Sequence, residues 1–267
     1  MKYEVTSNGI LLFEENFDPA LTLDCGQAFR WEKCEDGSYF GYYLDKPLKI
    51  SGECGKSLLH GVSEEEFLAV WKDYFDLDTD YAEIKLSYSF DPTLAKATEH
   101  SSGLRLLRQD PWETLVSFIF SQNNNIPRIK GIISRLVEHY GHFPTAKELE
   151  VESTLSLGYL RCGFRAKYIL DAAKKVATGE VDFEICKNAP FEEAKKELIK
   201  ILGVGPKVAD CVLLYGFYRT EAFPVDVWIK RVLERYYLSG FPKEIYKTGG
   251  IAQLYLFNYI RTAGEED

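Results

Sequence analysis

The stretch Ile201-Leu202-Gly203-Val204-Gly205-Pro206-Lys207-Val208-Ala209-Asp210 decides the fold. Apolar spacing predicts one helix over 191–201 and a second over 206–218, with Pro206 suited to the first turn of the second. Between them Gly203 and Gly205 permit positive φ and close backbone approach. The unpaired N–H groups of such a turn, beside a helix N-terminus, suit a phosphate. A plain helix connection is the other reading. A dinucleotide-binding fingerprint is excluded, because position 208 is Val rather than Gly and a helix, not a strand, leads in.

Lys207 breaks a local rule, since the macrodipole disfavours a cation in the first turn of a helix. The same field favours the neutral, nucleophilic amine. A solvated lysine or a phosphate contact is the plainer alternative. Nineteen residues later, Asp226 in Pro224-Val225-Asp226 opens a helix carrying Ile229, Val232, Leu233 and Tyr236. It reads as an N-cap, and a carboxylate so held is also rigidly aimed, as an electrostatic stabiliser should be.

Outward from the hairpin the texture has two parts. Up to about residue 60, polar or Gly-containing turns (Asp36-Gly37-Ser38, Ser51-Gly52) separate strand-like segments such as Tyr39–Leu44, predicting an antiparallel sheet. Ser63 and Glu66 form a capping-box signature before Phe67, Val70, Trp71 and Phe75. From about residue 92, amphipathic stretches predict helices over 112–122, 126–140, 166–177, 191–201, 206–218, 227–237 and 251–261. The fold class is therefore α+β, with an N-terminal β domain over 1–92 and a helical domain over 93–267.

The 267 residues carry a net charge of −9, which on its face argues against a nucleic-acid partner. The charge is uneven, however: residues 1–91 hold 8 Lys/Arg against 19 Asp/Glu, and residues 92–267 hold 24 against 22. The acidity is that of a solvated N-terminal face, and the helical part is free to carry a local basic surface. Cys25, Cys34, Cys54, Cys162, Cys186 and Cys211 include no pair two residues apart, and with four histidines they offer no zinc or iron–sulfur ligand set. No metal and no cofactor is expected. No run of eighteen apolar residues and no leader-like start appear, so neither a membrane partner nor secretion is expected.

The lysine in a helix-hairpin-helix, followed by an aspartate opening the next long helix, resembles the bifunctional helix-hairpin-helix DNA glycosylases. Within them the chain resembles the 8-oxoguanine DNA glycosylase/AP lyase family over nearly its whole length. Supporting stretches are Cys25-Gly26-Gln27-Ala28-Phe29-Arg30-Trp31, Leu106-Leu107-Arg108-Gln109-Asp110-Pro111, Ser121-Gln122-Asn123-Asn124-Asn125-Ile126-Pro127-Arg128 and Lys207-Val208-Ala209-Asp210-Cys211. The absence of four C-terminal cysteines separates it from endonuclease III relatives.

The resemblance implies a TATA-binding-protein-like antiparallel β domain before a helical glycosylase body. It implies that Lys207 attacks C1′ of the damaged nucleotide through a Schiff base, with Asp226 stabilising charge on the sugar and β-elimination nicking the strand. It places Gly26, Cys211, Gln253 and Phe257 at the flipped lesion base, the Gly26 carbonyl accepting the N7 proton that guanine lacks. Gln253 would read the Watson–Crick edge, with Phe257 one helical turn on and stacked on the base; for Phe257 and Cys211 ordinary packing is the plainer alternative. Asn123, Arg128 and Arg165 would face the estranged cytosine and Phe164 would fill the emptied stack, while Gly203, Val204 and Gly205 contact the DNA backbone. Read alone, Asn123-Asn124-Asn125 is a polar interhelical loop.

Three positions depart from the family pattern: Phe164 for a tyrosine, Trp228 for a phosphate-contacting histidine, and Leu202 for the hairpin proline. The expected partner is duplex DNA containing 8-oxoguanine, bound by a monomer in the cytoplasm, at the nucleoid of a bacterium or archaeon, or in the nucleus of a eukaryote. A non-catalytic DNA-binding module and a glycosylase for another lesion are the alternatives.

Overall fold

The computed structural model describes residues 1–263. Packing groups the chain into two compact units, and these cut across sequence order. The first comprises Met1–Tyr42, Lys46–Arg108 and the described residues from Phe223 onward; the second comprises Tyr43–Asp45 and Gln109–Ala222.

In the N-terminal part β1 (Lys2–Thr6), β2 (Gly9–Phe13), β3 (Trp31–Lys33), β4 (Tyr39–Tyr43), β5 (Lys46–Glu53) and β6 (Lys56–His60) form one sheet in the order β1-β2-β6-β5-β4-β3. The pairings are antiparallel, and the register is set by one apolar row: Ile10 of β2 and Ile50 of β5 both lie opposite Leu59 of β6. All three side chains are buried, so a one-residue slip would turn this row to solvent. On β4, Gly41 leaves room for the Trp31 indole, which would lie 2.4 Å from a Cβ there. The Trp31 indole N–H donates to the Tyr74 hydroxyl at 2.7 Å, and Trp71 and Phe75 complete an aromatic cluster around it.

Trp71 and Tyr74 come from the helical segment 64–74, whose centre, Phe67–Trp71, is a π turn, and Phe75 follows it directly. Only half of the capping box forms here. Ser63 Oγ accepts from the Glu66 N–H at 3.1 Å, but the Glu66 carboxylate accepts from the Trp71 indole at 3.0 Å instead of turning back to Ser63.

The C-terminal helix Gly249–Thr262 belongs to the same unit, where hydrogen bonds tie it and its N-cap Thr248 to residues 88–104. Tyr255 donates to the Leu104 carbonyl at 3.0 Å, Asn258 to Ser101 Oγ at 2.9 Å, and Tyr88 to the Thr248 carbonyl at 2.8 Å. The strands end at His60 and the described elements from Glu64 onward are helical, with the Tyr88–Thr248 bond joining residues on either side of position 92.

The second unit is helical. Pro111–Ser121 buries every residue from Thr114 to Phe120 and so forms its centre. Pro206–Phe217 packs along it where Gly216 approaches Pro111, and the Phe118 and Tyr215 rings stack 5.2 Å apart. Ile126–Tyr140, Arg165–Ala177 and Phe191–Ile199 surround this pair. The α+β architecture read from the sequence is the one observed. The helix expected to reach Ile201 ends at Ile199, because the Ile201 N–H turns back tightly to the Leu198 carbonyl at 3.1 Å.

Candidate active site

The hairpin is built by two different devices. Leu202 N–H donates to Asp171 Oδ2 at 2.7 Å, tying the turn to the Arg165–Ala177 helix. Gly203 has φ +80°, and a Cβ there would lie 2.5 Å from the Tyr168 ring of that helix. Gly205 differs from the sequence expectation: its φ is −95° and a Cβ would meet nothing within 4 Å. It serves as an N-cap without a side-chain acceptor, with Pro206 beginning the helix. The first-turn N–H groups thus have no side-chain cap, which suits them to an anionic oxygen. Gly203→Ala is expected to destabilise the protein by about 1–3 kcal/mol through strain and the Tyr168 clash. Thermal unfolding beside a duplex-DNA titration checks this, and an unchanged transition with unchanged affinity would refute it.

Lys207 is half-buried in that first turn, with Nζ 5.5 Å from the centroid of the Phe118 ring, whose face favours a cation. One turn on, burial pushes the Asp210 carboxyl up in pKa while Lys195, 2.7 Å away, opposes the shift. Cys211 is buried in the next position.

In the other unit, Asp226 caps Val227–Tyr236, one carboxylate oxygen accepting from the N–H groups of Trp228 at 3.0 Å and Ile229 at 2.8 Å. Its second oxygen makes no hydrogen bond among the described residues. The residue is therefore a cap and an aimed charge at once. Trp228 lies under the Arg231 guanidinium, 5.0 Å away, where the family pattern has a histidine.

The first unit also carries three of the four lesion-base candidates. Gly26 sits at φ +91° in a loop clamped by Gln27. The Gln27 amide, 1% exposed, donates to the carbonyls of Thr22 and Arg105 at 2.9 and 2.8 Å and accepts from the Leu107 N–H at 3.0 Å. Gln253 is 3% exposed, and its side-chain oxygen has no hydrogen-bond partner among the described residues. A buried amide oxygen without a donor is costly, and a donor on a ligand would relieve it. Phe257, one turn along the same helix, is half-buried. Cys211 lies in the second unit.

The opposite-base candidates gather in the second unit, in two roles. Asn123 (φ +47°) and Arg128 are exposed, and Arg128 donates at 3.4 Å to the Arg161 carbonyl. Phe164 is 49% exposed and packs edge-on to Tyr168. Arg165 is not beside them at the surface: it is 2% exposed, and its guanidinium donates to the carbonyls of Gln122, Asn123 and Cys162. In this structure Arg165 holds the Asn123 loop against the Phe164 turn. Among the described residues no cluster of His, Cys, Asp and Glu could hold a metal. Sequence reasoning passed over Gln27 although it lies in a quoted motif, and Phe118 and Arg261 carry no local signal.

Residues 10–115 match the 8-oxoguanine DNA glycosylase N-terminal domain, and residues 116–248 match the HhH-GPD superfamily of base excision DNA repair proteins. The N-glycosylase/DNA lyase of Saccharomyces cerevisiae is 36% identical over 263 residues, covering 82% of this chain and 68% of its own. The solved Clostridium acetobutylicum 8-oxoguanine glycosylase/lyase, in complex with double-stranded DNA containing cytosine opposite 8-oxoguanine, superposes with a TM-score of 0.91 at 36% identity, covering 98% of each chain. MBOgg1, solved with a low-affinity DNA ligand, gives 0.91 at 42% identity, covering 99% of this chain and all of its own. With both halves matched in order and the lysine hairpin in place, the chain belongs to the 8-oxoguanine DNA glycosylase family of the helix-hairpin-helix base excision repair superfamily.

Proposed function

We propose that this protein excises 8-oxoguanine from duplex DNA and cleaves the resulting abasic strand, acting in base excision repair. The observation that carries the reading is Lys207, an amine in the first turn after a hairpin whose N–H groups lack a side-chain cap. Nζ attacks C1′ while the N-glycosidic bond breaks toward the base, which takes up a proton. Opening of the sugar ring leaves an imine between Nζ and C1′, and loss of a C2′ proton then expels the 3′ phosphate. The Asp226 oxygen left without a hydrogen bond supports a role in stabilising positive charge on the sugar.

Gly26, Gln253, Phe257 and Cys211 read the lesion, and the unpartnered Gln253 oxygen suits a donor on the base edge. Asn123 and Arg128 face the estranged base, Phe164 is the wedge, and Gly203, Val204 and Gly205 contact phosphate. The mechanism needs no metal or cofactor. A monomer suffices, because a single damaged base is asymmetric, and the protein works wherever the genome lies, in a prokaryotic cytoplasm or a nucleus. Among the described residues no helix is long and apolar enough to cross a membrane.

The test is incubation with an 8-oxoguanine:cytosine duplex with and without borohydride, which reduces the imine to a stable amine. Release of the base and a crosslinked complex are the expected results. DNA binding without either would favour a non-catalytic module, and release of other lesions in preference to 8-oxoguanine would reassign the substrate.

A further inference from the structure

Arg261 touches two parts of the base-reading apparatus at once. One guanidinium nitrogen donates to the Cys25 carbonyl at 3.2 Å and the other to the Asp24 carbonyl at 3.1 Å. The same group lies 5.4 Å from the centroid of the Phe257 ring, one turn earlier on its own helix. The Cys25 carbonyl and the Gly26 N–H share one peptide plane, so fixing the first fixes the orientation in which the Gly26 backbone starts. Gly26 stands at φ +91°, a conformation its own chain does not enforce, because glycine visits both signs of φ with similar ease. Gln27 clamps the loop on the C-terminal side of Gly26, and Arg261 clamps it on the N-terminal side.

We propose that Arg261 is a positioning residue that aims the Gly26 carbonyl and locks it in register with Phe257, and so sets the discrimination of 8-oxoguanine from guanine. The inference rests on the proposed function, and specifically on Gly26 as the acceptor for the proton at N7. The two bases differ at that position by one donor, and a one-bond difference discriminates only where the acceptor is held to within about 0.5 Å. The planar fork is what the task requires: two nitrogens reach two carbonyls while the face covers an aromatic ring, which an ammonium cannot do.

The test compares wild type with Arg261→Met, which keeps an apolar stem near Phe257 but has no donors, and with Arg261→Lys, which keeps the charge but not the fork. Single-turnover release of 8-oxoguanine opposite cytosine is measured beside strand cleavage at a preformed abasic site, where no base needs reading. Base release is expected to fall by about ten- to hundredfold in both variants. Cleavage at the abasic site should stay within about twofold, since no donor to a base takes part in it. The preference for binding 8-oxoguanine over guanine duplex should shrink with base release. Equal loss of both activities, or no loss of either, overturns the proposal; should Arg261→Met fail to fold, the same comparison in Arg261→Lys decides it. Failure of the wild type to release 8-oxoguanine would instead overturn the functional reading.

Discussion

Lys207→Gln is expected to abolish both 8-oxoguanine release and the borohydride-trapped complex while leaving a folded protein that still binds duplex DNA. The amide has no nucleophilic nitrogen and cannot form an imine, so loss of base release on the order of 10³-fold or more is expected for removal of a covalent nucleophile. Folding should survive because Lys207 Nζ is tied to the protein through little more than the Phe118 ring face, 5.5 Å away. Such a contact contributes about 0.5–1 kcal/mol at a partly exposed site. Binding should survive because the hairpin presents backbone N–H groups, which the substitution does not touch. The measurements are single-turnover base release, crosslinking, and a DNA titration. A variant that still crosslinks would show that another amine is the nucleophile. A variant that loses binding and chemistry together would make Lys207 a phosphate contact.

The hairpin was legible because everything that makes it is local: the glycines, the proline and the lysine are adjacent in sequence, and their chemistry does not depend on distant partners. The sheet was legible for a similar reason, since Asp36-Gly37-Ser38 does separate two strands and the Tyr39–Leu44 segment is a strand over Tyr39–Tyr43. Several short helices were missed, such as Pro92–His100 and Ala146–Glu150, because one to three turns show little of a period. Their caps were there to be read: Asp91 accepts from the Leu94 N–H, and Thr145 and Glu148 form a full capping box. The tasks of Arg165 and Arg261 could not be read, because their partners are backbone carbonyls up to 237 residues away, and a carbonyl leaves no mark in the sequence. Net charge misled for a related reason. A total of −9 hides an acidic first third, residues 1–91, and a nearly neutral remainder, and binding by a few placed donors needs no broad basic field.

Asp226→Asn separates the two tasks of that carboxylate, and it is expected to keep the fold and lose most of the chemistry. As a cap, Asp226 uses one oxygen to accept from the N–H groups of Trp228 and Ile229. Asparagine caps a helix about as well as aspartate, so the unfolding temperature of Asp226→Asn should stay close to wild type. Asp226→Ala removes the acceptor altogether and should cost about 1 kcal/mol. The charge is a different matter, because a neutral amide stabilises positive charge on a sugar far less than a carboxylate does. Base release should therefore fall by roughly 10²-fold in both variants, a magnitude ordinary for removing one preorganised electrostatic partner. The diagnostic is the pattern across the pair: similar loss of base release, with loss of stability confined to alanine. Equal stability losses would mean that asparagine does not take over the cap. If Asp226→Asn retained full base release, the carboxylate would be a cap alone, and the charge on the sugar would have to be met by another group.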